Sequence, residues 1–189
     1  MRKHATILII VAAFMLGGLA GAFALLAQTR RIDVSATTSR SSWHEVAWPF
    51  PMDQWGKGAA FTCKAADCGA DLTVYLRAKI GFCNCDGRLM DDADLNRVSD
   101  FDLFGSALYA QAPGRAITVA WMKGRVRPFA ITGDHGDETM LSIGLHDNCD
   151  ALVITAVLPR GRLTKIEPLV QDFLNGTSFA RWAEDTLGL

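Results

Sequence analysis

What this 189-residue sequence lacks narrows its function before any motif is read. It has almost no net charge: 19 Lys and Arg against 20 Asp and Glu leave −1. A general nucleic-acid binder carries a clear basic excess, so no nucleic-acid partner is expected. The chain has no G-x-S-x-G, H-E-x-x-H or P-loop, so the usual hydrolase and nucleotide-binding arguments have nothing to hold. It has no C-x-x-C, the spacing of the common dithiol redox motif. Asp91, Asp92 and Asp94 do not make an EF-hand. From Asp92, Arg97 stands where the loop requires Gly and Leu103 where it requires Glu. No repeat, low-complexity block or long charged tail is visible. The length holds one domain plus an anchor and is too short for two ordinary domains.

What is present begins with an uncharged run from Ala5 to Gln28, between Arg2-Lys3-His4 and Arg30-Arg31. About 20 apolar residues span a bilayer core, so residues 1–31 are expected to be a transmembrane anchor that enters the membrane through 5–28. Ala22-Phe23-Ala24 offers a signal-cleavage pattern, but Leu25-Leu26 prolong the run past it. Gly17 and Gly21 form a G-x-x-x-G that suits close pairing with another membrane helix, although Gly is also common in such helices. Residues 32–42 are small, polar and aperiodic, as a linker should be. Residues 43–189 form the domain.

The domain opens with Trp43, Val46, Trp48 and Phe50 in a short strand pattern that Pro49 and Pro51 stop. Trp43, Trp48 and Trp55 are candidates for an aromatic patch near the membrane. Leu72–Lys79 alternates as a strand. Asp91 and Asp92 are placed to cap a helix through Leu95, Val98 and Phe101 or Asp102. Ala116–Met122 and Arg125–Ile131 read as strands joined by a Lys123-Gly124 turn. Gly133–Asp137 is another turn. Met140–Leu145 and Ala151–Leu158 then continue an antiparallel meander, since parallel neighbours need longer crossovers. Two helices close the chain. Thr164–Glu167 fits a capping box with Pro168 in the first turn, and Ser178 is the expected cap of the second. The pattern predicts an α+β domain in which an antiparallel sheet carries the C-terminal helices on one face. That element order, over about residues 70–175, resembles the Mog1/PsbP-like fold of anchored periplasmic proteins. The chain is also similar to single-span periplasmic proteins of alphaproteobacteria, which implies a location and no activity.

Four of the five cysteines, Cys63, Cys68, Cys83 and Cys85, flank the Leu72–Lys79 strand, and Cys149 sits in a later turn. Two disulfides and one leftover thiol are the leading reading, because disulfides persist outside the cytosol; sequence alone does not choose the pairing. Four thiolates also suffice for a tetrahedral zinc site. Cys83-Asn84-Cys85 is a candidate soft-sulfur site for Cu(I), with Met90 or Met122 nearby, or a redox pair. Asp134-His135-Gly136-Asp137 offers metal-ligating or acid–base groups, though a polar turn accounts for it equally. His44 and His146 have no spacing relation to it.

Arg115, Lys123, Arg125 and Arg127 concentrate positive charge around one hairpin and are candidates for an acidic partner or lipid head groups, or else a solvated edge strand. The expected protein is therefore a single-span inner-membrane protein with its N-terminus in the cytoplasm and its domain in the periplasm. It would serve as a non-catalytic accessory or interaction module of an envelope complex, with no cofactor. A thiol-redox or copper-handling protein using Cys83 and Cys85 is the alternative.

Overall fold

The computed structural model describes residues 43–82, 89–104, 108–133, 136–159 and 163–189. The chain divides into two units, Met1–Thr38 and Ser39–Leu189, and every described residue belongs to the second. The expected anchor at 5–28 and its Gly17 and Gly21 lie outside the described residues. Among the described residues no helix is long and apolar enough to cross a membrane.

Eight strands make one sheet: β1 (Trp43–Val46), β2 (Ala59–Cys63), β3 (Leu72–Lys79), β4 (Leu108–Ala110), β5 (Arg115–Val119), β6 (Met122–Gly133), β7 (Gly136–Asp147) and β8 (Asp150–Pro159). Their order is β1-β2-β3-β8-β7-β6-β4, with β5 beside the other half of β6. Every pair is antiparallel. The meander expected from the sequence is β5-β6-β7-β8, and β3 joins it by pairing with β8 on one side while it pairs with β2 on the other.

Alternation along the strands divides the sheet into two faces. Leu72, Val74 and Leu76 of β3 share a core with Leu141, Ile143 and Leu145 of β7 and with Leu152 and Ile154 of β8. Onto this face pack α3 (Leu163–Leu174), through Val170, Phe173 and Leu174, and α4 (Thr177–Leu187), through Phe179 and Ala183. The intervening residues of β8, Ala151 and Val153, point the other way and meet Leu95 and Val98 of a third helix, α2 (Asp92–Val98), and Met90 just before it. The C-terminal helices do cover one face, as expected, while the remaining helix covers the other. A single helical turn, α1 (Ala65–Cys68), follows β2 and ends at Gly69 with φ of 70°.

Local signals placed most elements and misplaced a few. Asp91 caps α2 through a capping box with Asp94. The helix stops at Ser99, whose ψ of 148° is extended, so Phe101–Leu103 form a separate 3-10 turn. The hairpin between β5 and β6 turns at Ala120-Trp121, with Ala120 at φ of 51°, and not at Lys123-Gly124. Lys123 and Gly124 are inside β6. Gly124 is there because β7 comes close: a Cβ would lie 1.8 Å from the Gly144 carbonyl oxygen. Pro168 lies inside α3 rather than in its first turn. The cap of α4 is Gly176, with Ser178 already inside the helix.

Candidate functional site

The sheet face under α2 is unusual for its charge. In β3 the positions that alternate with Leu72, Val74 and Leu76 are Thr73, Tyr75, Arg77 and Lys79. Register carries that row across the sheet: Arg77 lies opposite Val153, Val153 opposite Gly144, and Gly144 opposite Arg125. Alternate positions of β3 bring Arg77 and Lys79 to one side, and β6 brings Arg125 and Arg127 to the other. The segment 89–104, laid over this face, supplies the matching carboxylates.

Asp100, 4 % exposed, sits between two buried cations. Its Oδ1 is 3.2 Å from Arg77 Nη1 and 2.9 Å from Lys79 Nζ. Arg77 Nη2 also pairs with Asp53 and donates to the Gly56 carbonyl oxygen at 3.3 Å. Four groups of zero summed charge are thus held beneath Trp48, which lies 5.7 Å from the Arg77 guanidinium, and Trp55, which lies 5.5 Å from Lys79 Nζ. On Asp53, burial pushes the carboxyl pKa up. The Trp55 backbone N–H and Arg77 outweigh it and hold the group below its ordinary value.

At the other end of α2, Asp92 pairs with Arg125, lies 3.6 Å from Arg127 Nη1, and accepts the Gly114 backbone N–H at 3.1 Å. The Gly114 N–H and Arg125 lower its pKa. Arg125 Nη2 also donates to the Gly114 carbonyl oxygen at 2.8 Å, and Arg127 Nε to that of Ala112 at 2.9 Å. Between the two charged ends, the Ser99 and Ser142 hydroxyls are 2.6 Å apart in a buried bond. Gly144 leaves the hollow for Met90 and Leu95: a Cβ there would meet the Met90 sulfur at 2.5 Å. Burial also raises the Tyr75 hydroxyl pKa on this face. The arrangement can anchor one segment on the sheet; its charges are spent on each other.

The basic residues singled out in the sequence therefore have internal partners. Arg125 and Arg127 meet Asp92, and Arg115 on β5 meets Glu167 on α3. Lys123 is exposed and has no ion pair among the described residues. β6 is an interior strand along most of its length, since β5 and β4 flank one side and β7 the other. The sequence reading missed Asp100, Asp53, Arg77 and Lys79 as a group. Its one visible signal was two cations at alternate positions of an otherwise apolar strand.

Cys63 and Cys68 form a disulfide with Cα atoms 6.0 Å apart across α1. Cys149 is disulfide-bonded as well, to a partner outside the described residues. Cys83 and Cys85 lie outside them, as do Asp134 and His135. His44 is exposed, and His146 is half-buried, its Nε2 lacking a hydrogen-bond partner among the described residues. Among the described residues no three His, Cys, Asp or Glu side chains are grouped to hold a metal ion. The tryptophans do not make one patch. Trp43 packs on Phe173 of α3, whereas Trp48 meets Tyr75 edge to face and Trp55 meets Phe82 in the same way.

Among the described residues, two open clefts stand out. One, of about 600 Å³, runs beside edge strand β1 and is lined by Glu45, Val46, Trp48, Lys57 and Trp182 among others. The second, of about 420 Å³, is lined by Trp121, Asp147, Asn148, Glu184 and Leu189.

No family model matches the sequence, and no curated protein matches it. Among solved structures, the chain is similar to protein of unknown function PA94 from Pseudomonas aeruginosa, with 9% identity and a TM-score of 0.43 over 71% of this chain and 81% of that one.

Proposed function

We propose that this protein is a membrane-tethered periplasmic interaction module, held in the inner membrane by residues 5–28 and acting without catalysis on a protein partner of an envelope complex. The observation that carries the reading is the oxidised state of the cysteines: Cys63–Cys68 is bridged and Cys149 is bonded, and such bonds persist outside the cytosol. The uncharged run from Ala5 to Gln28 supplies the tether. The matched charges over the sheet favour the same reading, because they leave partner contact to the open clefts and edges rather than to a basic patch.

The alternative, copper handling by Cys83 and Cys85, needs two free sulfurs. The described cysteines, Cys63, Cys68 and Cys149, are all disulfide-bonded, which favours the module. Thiol counting and metal analysis on protein purified without reductant separate the two readings. One thiol and no copper support the module; three thiols with bound copper overturn it. Site-specific crosslinking from the β1 edge in intact cells, followed by purification, tests the partner. Failure of both full-length protein and isolated domain to crosslink any envelope protein would end the proposal.

A further inference from the structure

The hairpin turns Ala120-Trp121 and Asn148-Cys149 come together at one end of the sheet, because Lys123 lies opposite His146 and Asp147 opposite Asp150. The C-terminal end of α4 reaches the same place, and the three form the 420 Å³ cleft. Its lining is chemically one-sided. Trp121 is a turn residue that leaves 42% of its surface exposed and its indole open to the cleft. Asp147 and Glu184 are the charged side chains of the lining, and neither has an ion pair among the described residues. The lining contains no Lys, Arg or His. The α4 C-terminus adds the negative end of a helix dipole.

An aromatic face beside two carboxylates and a helix C-terminus attracts a cation from every side. A guanidinium or ammonium placed over an indole within about 6 Å gains the ring's quadrupole attraction, and both carboxylates accept charge-assisted hydrogen bonds. An anion finds no cationic partner in that lining. We propose that this cleft receives an Arg or Lys side chain presented by the protein partner. The inference rests on the interaction-module reading and names the chemistry that the partner must show.

The test is a titration of the purified protein with tri-arginine, tri-glutamate and tri-glycine peptides, followed by NMR of the tryptophan indole N–H signals. A saturable shift of the Trp121 signal with tri-arginine is expected, with none from the other two peptides. Added salt should weaken it, since exposed charges are screened within about 10 Å at 0.1 M. Trp121→Ala should weaken binding roughly two- to fivefold, read from the Asn148 and Glu184 backbone amides, and Asp147→Asn with Glu184→Gln should abolish saturation. Equal binding of tri-glycine, no saturable shift, or unchanged affinity in the charge variants would overturn the cleft assignment. Partner crosslinking keeps the two proposals distinct. Capture that survives Asp147→Asn/Glu184→Gln unchanged sinks the cleft and leaves the module. Saturable tri-arginine binding with no envelope partner sinks the module and leaves the cleft.

Discussion

Replacing Asp100 by Asn should be among the most damaging single changes in the domain. The carboxylate is 4 % exposed and serves Arg77 and Lys79, themselves 1 % and 5 % exposed. Its oxygen lies 3.2 and 2.9 Å from their nitrogens. Neutralising it leaves Lys79 without a carboxylate and Arg77 dependent on Asp53 alone. Removing one partner of a buried pair costs about 3–5 kcal/mol, mostly the desolvation of the charge left behind. A domain of this size has about 5–15 kcal/mol in total, so the loss is a large share of it. Urea unfolding, followed by tryptophan fluorescence and far-ultraviolet circular dichroism, reads the change. The decisive comparison is the triple variant Arg77→Met/Lys79→Met/Asp100→Leu, which removes the charges together. It should recover to within about 1 kcal/mol of wild type or exceed it, because apolar replacements of buried ion groups are commonly neutral or stabilising. A loss below about 1 kcal/mol for Asp100→Asn would mean that these charges behave as a wet surface pair. A triple variant as unstable as the single one would show that charge was not the cause. Either result refutes the reasoning.

Three further outcomes follow from the same structure. Asp92 titrates below its ordinary 3.8 in the folded state, so its contribution is complete above that ordinary value and fades as pH falls through the lowered one. The stability gap between wild type and Asp92→Asn in urea should therefore narrow on acidification from pH 7 to pH 3, and a widening gap would contradict it. Gly124→Ala forces a methyl group toward a carbonyl 1.8 Å away. It should destabilise by about 1–3 kcal/mol or more, measured by thermal unfolding, whereas a neutral result would mean that β6 and β7 are further apart. The Cys63–Cys68 bridge closes a short loop, with a sequence separation of 5. Its loss in Cys63→Ala/Cys68→Ala should cost at least about 2 kcal/mol under non-reducing conditions, and an unchanged urea midpoint would refute this.

Local chemistry was legible in the sequence and long-range arrangement was not. Leu72–Lys79 showed its strand in its alternation, and Asp91 with Asp94 showed the start of α2. Lys123-Gly124 looked like a turn because glycine serves two purposes. It permits positive φ, and it also lets two backbones approach closely, which is its use here. Nothing local says that β3 pairs with β8, or that α2 lies opposite the terminal helices, since both depend on residues far apart in the chain. The charges of Arg115, Arg125 and Arg127 read as an available patch because Glu167 and Asp92 reach them only through the fold. The cleft of Trp121, Asp147 and Glu184 has no spacing rule at all, because it joins two hairpins and a helix end.

The two sides of the sheet are fastened by different forces. Beneath α3 and α4 the join is oily, whereas beneath residues 89–104 it is largely ionic, clipped at Asp92 and at Asp100 around a small apolar middle. Acid weakens the Asp92 clip of the second fastening, whose partners hold it in its charged form, and leaves the first almost untouched. The domain therefore has a built-in order of release, in which this cover opens at a lower free energy than the rest of the molecule. Amide protons of Leu95 and Val98 should exchange ahead of those in β7 and β8.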